Sequence, residues 1–402
     1  MRLKEICDYI SRGTTPDYVD ESPYKVMNQA TFSKGWLDES NLRYTSKNVR
    51  EAQIRKGDLL MASTGGGVLG KVFFFDSDDT SFYADSHVSI LRNSKGKNLM
   101  KYLYYVFSIK YDEINATMVK GSTNQTELQR NYLLAYELDM PPLSKQQRIV
   151  DYLDEKLGNI DARIAVLEKQ QDAYARLKKS IIHHTVTRGL NSNVSLKDSG
   201  VDWIGMIPEH WELRRFKSIF TECKSITQTG EENLLSVSEY YGVARRIDKM
   251  EDGEYESRAN SLIGYKVCKK NDLVINIMLA WKRGLGFSNF DGIVSPAYAV
   301  YRGKNIVPHY FHYLMRTDMY VTEYKRNSKG IIDSRLRMYT DRFNNIMSIS
   351  PPIPEQQTIA DYLDEKCSKI DAAIENIGKQ INALKRLKRA LINEVITGQR
   401  AV

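Results

Sequence analysis

The sequence predicts an α+β protein in which two tandem globular α/β domains are each followed by a long helix. Three observations predict it: an internal repeat, two proline-free segments of about 40 residues, and an apolar heptad pattern inside those segments. We expect the two helices to pair as an antiparallel coiled coil with pseudo-two-fold symmetry, because both belong to the same chain. Pairing of each helix with another protein is the alternative.

The repeat is most distinct in its helical part. Residues 141–187, PPLSKQQRIVDYLDEKLGNIDARIAVLEKQQDAYARLKKSIIHHTVT, align without a gap on residues 351–397, PPIPEQQTIADYLDEKCSKIDAAIENIGKQINALKRLKRALINEVIT, and about half of the residues are identical. The same offset of 210 positions continues faintly upstream, where HVSILR (87–92) matches AYAVYR (297–302). KGDLL (56–60) matches KNDLV (270–274) after a small shift. The repeat predicts globular domain 1 over 1–142, a central helical spacer over 143–190, a linker with globular domain 2 over 191–350, and a C-terminal helical spacer over 351–402.

Prolines mark where each long helix begins. The pairs at 141–142 and 351–352 end whatever precedes them, since proline disfavours a helix interior. Ser144 suits the N-cap of the first helix, and Pro354 suits the first turn of the second. Apolar residues then recur in alternating steps of four and three, as in coiled coils. The residues predicted to pair the helices are Leu153, Leu157, Ile160, Ile164 and Leu167 in the first, and Leu363, Ile370, Ile374, Ile377, Ile381 and Leu384 in the second.

Charge and composition restrict the class of protein. The chain has 402 residues and a net charge of +8, which favours a polyanionic partner in general terms. No run of 18 apolar residues is present, and the N-terminus lacks the apolar stretch of a signal peptide, so we expect a cytoplasmic protein without a membrane segment. The four cysteines lie far apart without a CxxC pair, which favours reduced thiols over a zinc site or disulfides.

Three motifs suggest catalysis or metal binding, and each has a simpler explanation. GGGVLGK (65–71) has the spacing of a phosphate-binding loop, but the following VFFF predicts a strand where that loop needs a helix. SPPI (350–353) is similar to a methyltransferase signature, but its repeat counterpart MPPL lacks the polar and aromatic members. His309 and His312 have a ligand-like spacing without accompanying ligands. We therefore expect no catalytic residues, no metal site and no cofactor in this chain.

Two polar, basic stretches are the candidates for nucleic-acid contact. Each follows an aromatic segment, YLYYVF (102–107) or YFHYLM (310–315), and contains a glycine at a corresponding place, Gly121 or Gly330, where backbone could approach a phosphate. Lys and Arg neutralise phosphates, and Arg, Asn and Gln can form paired hydrogen bonds to base edges. The candidate DNA-binding residues are Lys120, Ser122, Thr123, Asn124, Gln125 and Arg130 in the first domain, and Lys325, Arg326, Lys329, Arg335 and Arg337 in the second. Weaker candidates are Ser63, Thr64, Arg245, Arg246, Lys282 and Arg283.

The repeated PPLSKQQRIVDYLDEK and PPIPEQQTIADYLDEK, together with VTRGLN…KDSGVDWIGMIPEHWE (186–212), resemble the repeats and the second-domain start of type I restriction–modification specificity subunits (HsdS). The resemblance implies two target-recognition domains, each reading one half of a bipartite site in double-stranded DNA. The paired helices would set the gap between the halves and dock two modification (methyltransferase) subunits. It also implies a non-catalytic chain: S-adenosylmethionine would bind the modification subunits, and ATP and Mg would bind a restriction subunit. One departure is that the first domain begins without the IPEHW that precedes the second.

Two other functions remain open on the sequence. A stand-alone, sequence-specific DNA-binding protein would use the helices only as an internal brace. A coiled-coil scaffold unrelated to nucleic acid would have no use for the duplicated basic stretches, which argue against it.

Overall fold

The structure is a computed structural model that describes residues 1–47, 49–96, 98–120, 126–249 and 261–402. The chain forms two compact units: unit 1 comprises Met1–Glu168 and Lys379–Val402, and unit 2 comprises Lys169–Gly378. Each unit therefore contains one globular domain, the first half of the long helix that follows it, and the second half of the other long helix.

Two four-stranded sheets form the globular part of unit 1. One has the order β1-β8-β5-β6 and is antiparallel, with Leu60 opposite Ile90, and the other has the order β2-β4-β3-β7, in which β3 and β7 are parallel. The central strands β5 and β8 consist mainly of Val, Ile, Leu, Met and Ala and are almost wholly buried, as expected for strands with partners on both edges. The strands are β1 (Tyr9–Arg12), β2 (Tyr18–Val19), β3 (Tyr24–Met27), β4 (Arg43–Thr45), β5 (Leu59–Ala62), β6 (Val72–Phe74), β7 (Phe82–Ala84), β8 (Val88–Arg92), β9 (Val119–Lys120) and β10 (Glu127–Leu128).

The helices of unit 1 are α1 (Leu3–Ile6), α2 (Gln29–Phe32), α3 (Met100–Ser108), α4 (Tyr111–Thr117), α5 (Arg130–Ala135) and the first half of α6 (Leu143–Arg188). Among them, α3 packs on β5 and β6 of the first sheet, and α2 lies beside β3 of the second. The aromatic segment 102–107 forms most of α3 and buries Leu103, Val106 and Phe107 in the core. Strand β6 directly follows GGGVLGK, so the predicted strand is present and a phosphate-binding helix is not.

Unit 2 repeats this plan with a four-stranded antiparallel sheet of order β14-β21-β18-β19 at its centre. Its strands are β11 (Leu196–Asp198), β12 (Met206–Pro208), β13 (Glu212–Arg215), β14 (Phe220–Glu222), β15 (Leu235–Ser238), β16 (Gly242–Arg245), β17 (Lys266–Cys268), β18 (Leu273–Asn276), β19 (Leu285–Phe287), β20 (Gly292–Val294), β21 (Tyr298–Gly303) and β22 (Met347–Ser350). Its helices are α7 (Phe216–Ile219), α8 (Pro308–Met315), α9 (Asp318–Asn327), α10 (Thr340–Phe343) and the first half of α11 (Ile353–Ile396).

The linker that follows α6 is anchored by two tryptophans. Trp211 is fully buried, and its indole N–H donates to Glu355 Oε2 over 2.9 Å. Trp203 meets Tyr320 edge to face, with ring centroids 5.0 Å apart. Gly189, which follows α6, has a φ of +76°, and a Cβ there would lie 3.0 Å from Glu355 Oε1 and 3.2 Å from the Trp211 ring. Only glycine fits this helix end.

The first long helix, α6, begins one residue before its predicted N-cap, whereas the second, α11, begins as predicted. Because α6 starts at Leu143, Ser144 lies inside the first turn and is not its cap. Pro354 lies in the first turn of α11, as expected. Gln146 and its repeat counterpart Gln356 are both buried, and each ties the start of its long helix to a neighbouring helix. The sequence did not indicate this structural role. Each side-chain amide donates to the carbonyl of the proline five residues earlier and accepts a backbone N–H from the residue before α3 or α8.

Antiparallel pairing of the long helices is present within each unit. In unit 1, Leu153 and Leu157 of α6 share a core with Leu391 and Val395 of α11. In unit 2, Val186 at the end of α6 shares a core with residues near the start of α11, namely Ile359 and Leu363. Since the start of one helix meets the end of the other in both cases, the predicted antiparallel arrangement is confirmed.

The ion pairs between the helices follow the repeat. In unit 1 Lys388 Nζ lies 2.6 Å from Asp161 Oδ2, and in unit 2 Lys178 Nζ lies 2.6 Å from Asp371 Oδ2. These are repeat counterparts with the helices exchanged. Most of the predicted pairing residues are buried: Leu153, Leu157, Ile164, Leu167, Leu363, Ile370, Ile377 and Ile381. Ile160, Ile374 and Leu384 are partly exposed.

Among the described residues no helix is long and apolar enough to cross a membrane. All four cysteines are free thiols. Burial raises the pKa of Cys7 and of Cys268 to about 12, so neither forms a thiolate readily.

Candidate nucleic-acid interface

The first basic stretch forms a short hairpin in unit 1. Strand β9 pairs antiparallel with β10, so that Lys120 lies opposite Glu127. The candidates Ser122, Thr123, Asn124 and Gln125, with Gly121, lie outside the described residues. Arg130 follows the hairpin at the start of α5, and its guanidinium donates to the Ile10 carbonyl over 3.3 Å. Of the predicted contact residues that the structure describes, Lys120 thus lies on β9 and Arg130 lies on the helical turn after β10.

Residues distant in sequence hold the base of this hairpin. The Leu128 N–H donates to the Ser63 carbonyl over 2.8 Å, and Thr64 bridges to Glu127. The Ser63 hydroxyl is fully buried and lies 2.6 Å from the Ser89 hydroxyl, so Ser63 positions the hairpin and is not accessible for contact with DNA.

Two further side chains complete this base. Thr64 is half-buried, with its hydroxyl 2.7 Å from His87 Nδ1. Arg12, which sequence reasoning missed, donates to the Leu128 carbonyl over 2.8 Å and pairs with Glu127.

The second basic stretch forms a closed loop in unit 2, at the place that corresponds to the hairpin. Lys329 and Arg337 exchange two backbone hydrogen bonds of 2.9 Å. A Cβ on Gly330 would lie 2.6 Å from the Arg335 carbonyl oxygen, so glycine is needed here for the loop to close on itself. Leu336 is buried beneath the loop, whereas Ile331 at its tip is fully exposed. The loop therefore presents Lys329, Arg335 and Arg337 on a short, fixed frame.

Trp281 brings two of the predicted lysines together beside this loop. Lys282 Nζ lies 4.9 Å and Lys325 Nζ 5.0 Å from its ring centroid. Lys325 also pairs with Asp333 within the loop at 2.9 Å. Cation–π attraction to this one indole ring stabilises the positions of both ammonium groups. In the sequence, Lys282 directly follows Trp281, but Lys325 lies far along the chain on α9. The sequence therefore did not indicate that all three side chains meet.

The remaining candidates of unit 2 make other contacts. Arg326 pairs with Glu323 at 3.2 Å on α9. Arg283, with a left-handed φ of +61°, pairs with Asp318 and donates to the Arg316 carbonyl. Arg245 lies over the Phe290 ring and pairs with Asp248, and Arg246 begins the 3₁₀ turn that follows β16. None of these contacts joins Arg245 or Arg246 to the Lys329–Arg337 loop.

The histidines of α8 have partners unrelated to a metal. His309 Nδ1 lies 3.0 Å from Asp364 Oδ2 on α11, and burial lowers the pKa of His312 to about 3, which keeps its ring neutral. Over the described part of the chain, no group of three or more His, Cys, Asp or Glu side chains has the geometry to hold a metal ion.

The chain thus contains two units of similar plan, and each includes about half of each long helix. We compared this arrangement with known proteins. The family described as type I restriction modification DNA specificity domain matches residues 1–172. The type I restriction enzyme MjaVIII specificity subunit of Methanocaldococcus jannaschii is 22% identical over 420 aligned positions, covering 99% of this chain and 92% of the relative. Residues 1–172 therefore match the family of type I DNA specificity domains, and the chain as a whole is similar to a type I specificity subunit.

Other specificity subunits align over shorter parts. A putative MjaX specificity subunit of M. jannaschii is 26% identical over 219 residues, which span 52% of this chain and half of that relative's length. The EcoBI specificity subunit of Escherichia coli is 22% identical over an alignment that covers 74% of this chain and 65% of the length of that relative. All of these relatives are named specificity subunits of type I restriction enzymes.

Solved structures have the same fold. A chain from a study of complex assembly and conformational transition in a type I R-M system matches with a TM-score of 0.69 and 15% identity, covering 98% of the specificity subunit and 96% of that chain. The HsdS subunit from Thermoanaerobacter tengcongensis matches with a TM-score of 0.51 and 15% identity, over 100% and 96% of the two chains.

Proposed function

We propose that this specificity subunit reads a bipartite site in double-stranded DNA, with one half-site for each globular domain. The observation that carries the proposal is that the predicted basic stretch has a corresponding place in each domain: it begins and ends at the paired strands β9 and β10 in unit 1, and it contains the Lys329–Arg337 loop in unit 2. The loops differ in sequence while the paired helices are alike, as expected if each domain reads a different half-site on a common frame.

The basic side chains fit both parts of such a reader. Lys282 and Lys325, positioned by Trp281, carry full charges suited to phosphates. Arg335 and Arg337 have the donor geometry for a guanine edge. In this proposal the lysines provide affinity, and the loop arginines contribute the sequence preference of the second domain.

The partners follow from the family. Two modification subunits would dock on the long helices and supply adenine methylation with S-adenosylmethionine, and a restriction subunit would supply ATP- and Mg-dependent cleavage. The chain itself would hold no cofactor and would act in the cytoplasm, where its DNA is.

Base-resolved mapping of adenine methylation tests the proposal. DNA is sequenced from cells that express this chain with its modification subunit, and from cells that lack the chain. We expect a split motif with a fixed, non-specific gap that disappears without the chain. Chain-dependent binding of a site by the purified chain alone, with no methylation although both proteins are associated, would instead indicate the stand-alone DNA-binding protein.

A further inference from the structure

The tip of the Lys329–Arg337 loop carries two adjacent isoleucines that the fold leaves outside the core. Ile331 is 100% exposed and Ile332 is 53% exposed, and in the described part of the chain no other large apolar side chain is as exposed as Ile331. An isoleucine stabilises a fold by leaving water, so Ile331 adds nothing to the core of unit 2. Its whole apolar surface is available to a binding partner.

The backbone holds this tip in place before anything binds. Lys329 and Arg337 exchange two hydrogen bonds of 2.9 Å at the base of the loop. The next residue, Met338, donates its N–H to the Ile277 carbonyl over 2.8 Å, which joins the loop to the residue that follows β18. Leu336 is buried beneath the loop. Because the loop is already ordered, binding through its tip does not carry the entropy cost of fixing a flexible segment.

The charges around the tip favour DNA as its partner. Residues 325–337 contain five cations and one carboxylate, that of Asp333, which pairs with Lys325 at 2.9 Å. A protein surface that covered the isoleucines would need a matching group of carboxylates around an apolar centre. Double-stranded DNA has phosphates along both sides of each groove, and the methyl groups of its thymines lie on the floor of the major groove.

The shape of the loop suits the major groove. Lys329 and Arg337 pair as a short antiparallel ribbon, and the major groove, about 12 Å wide, admits a two-stranded ribbon, whereas the minor groove is about half as wide. The guanine edge suited to Arg335 opens into the same groove. A Cβ on Gly330 would lie 2.6 Å from the Arg335 carbonyl oxygen, so the backbone that leads into Ile331 lies against that of Arg335. The two side chains therefore start side by side.

We propose that Ile331 contacts the 5-methyl group of a thymine that lies within about two base pairs of the base read by Arg335, since base pairs stack about 3.4 Å apart. The methyl group is the apolar feature of the major-groove pattern, so an isoleucine gains more from thymine than from the other three bases. This inference rests on the proposed function, in which unit 2 reads one half-site. It goes further by naming one base of that half-site and the group on it that is recognised.

The test uses the chain assembled with its modification subunit and DNA duplexes that carry the site obtained by methylation mapping. Each thymine of the site is replaced in turn by uracil, which lacks only the 5-methyl group, and affinity is measured by fluorescence anisotropy. The proteins compared are the wild type, Ile331→Ala and the control Ile263→Ala. The control removes the same atoms from a 61%-exposed isoleucine elsewhere in unit 2. Exposed positions tolerate either change without loss of the fold.

We expect one thymine, within about two base pairs of the position whose preference Arg335→Ala relaxes, to respond to the methyl group. Uracil there should weaken binding by the wild type and by Ile263→Ala about fourfold, as expected for one buried methyl group. The same replacement should leave the affinity of Ile331→Ala unchanged, because the side chain that contacts the methyl group is gone.

Three results would overturn the assignment of Ile331 and leave the proposed function intact: equal sensitivity to uracil in all three proteins, sensitivity at no thymine, or a half-site without an A·T pair. Loss of the modification subunit from the Ile331→Ala complex would also overturn it, since the tip would then belong to a protein contact. An assembled complex that prefers no DNA sequence would overturn the proposed function itself.

Discussion

Arg92 holds the buried carboxylate of Asp58 through two hydrogen bonds of 2.6 Å. Arg302 holds Asp272 in the same way in the second domain, at 2.9 and 3.0 Å. The four residues come from the two motif pairs that the repeat aligned, KGDLL with KNDLV and HVSILR with AYAVYR. The central sheet of each unit therefore contains the same arginine–aspartate pair, which links the C-terminal part of one strand to the turn before its neighbour.

The two pairs differ in exposure, which predicts different costs of removing the arginine. The Arg92 side chain is 13% exposed, whereas that of Arg302 is 58% exposed. Arg92→Leu leaves a buried carboxylate without its partner and should reduce the free energy of unfolding of unit 1 by about 3–5 kcal/mol. Arg302→Leu should cost unit 2 only about 1–2 kcal/mol, because water can replace the guanidinium. Hydrogen exchange of β8 and β21 reports each unit separately, and equal losses would contradict this reasoning.

The Trp211–Glu355 hydrogen bond offers a second comparison within the chain. Glu355→Ala leaves a buried indole N–H without an acceptor, which should destabilise unit 2 by about 1–3 kcal/mol. The matched control is Lys145→Ala at the repeat counterpart, an exposed position where the change should stay within about 0.5 kcal/mol. Urea denaturation of the three proteins measures the difference. Similar losses in both variants would mean that the hydrogen bond is not what stabilises the linker.

Arg335→Ala should alter recognition of one half-site only, since the Lys329–Arg337 loop belongs entirely to unit 2. Loss of a paired contact to a base should relax the preference at one position by about 1–3 kcal/mol. Lys282→Ala should instead weaken binding to all sequences and reduce the salt slope by about 0.9. DNA selection with the assembled modification complex reads both effects. A changed preference in the other half-site would rule out separate readers.

Shortening both long helices should move the permitted gap between half-sites. Deleting residues 162–168 and 372–378 together removes one heptad from each helix and retains both ion pairs, Asp161–Lys388 and Lys178–Asp371. Each helix loses about 10 Å, which corresponds to about three base pairs. Deletion from α6 alone should abolish activity, because the two ion pairs can no longer form in one register. Methylation mapping gives the gap, and an unchanged gap with full activity would end the spacer hypothesis.

The sequence by itself determined the features of this protein that are periodic or repeated. The heptads of α6 and α11, the prolines before them and the offset between the copies depend only on local order along the chain, so the helices, their pairing and the family could all be inferred. The positions of the basic stretches could be inferred for the same reason, since each follows a recognisable aromatic helix.

Tertiary structure decided what the side chains in those stretches do. Ser63 looked like a contact residue, yet it is buried beneath the hairpin, while Arg12, more than a hundred residues from Leu128, holds that hairpin in place. Trp281 gathers Lys282 and Lys325 although they lie far apart in sequence. Such contacts depend on how strands and loops pack, and no periodic pattern records which distant residues packing will bring within hydrogen-bonding distance.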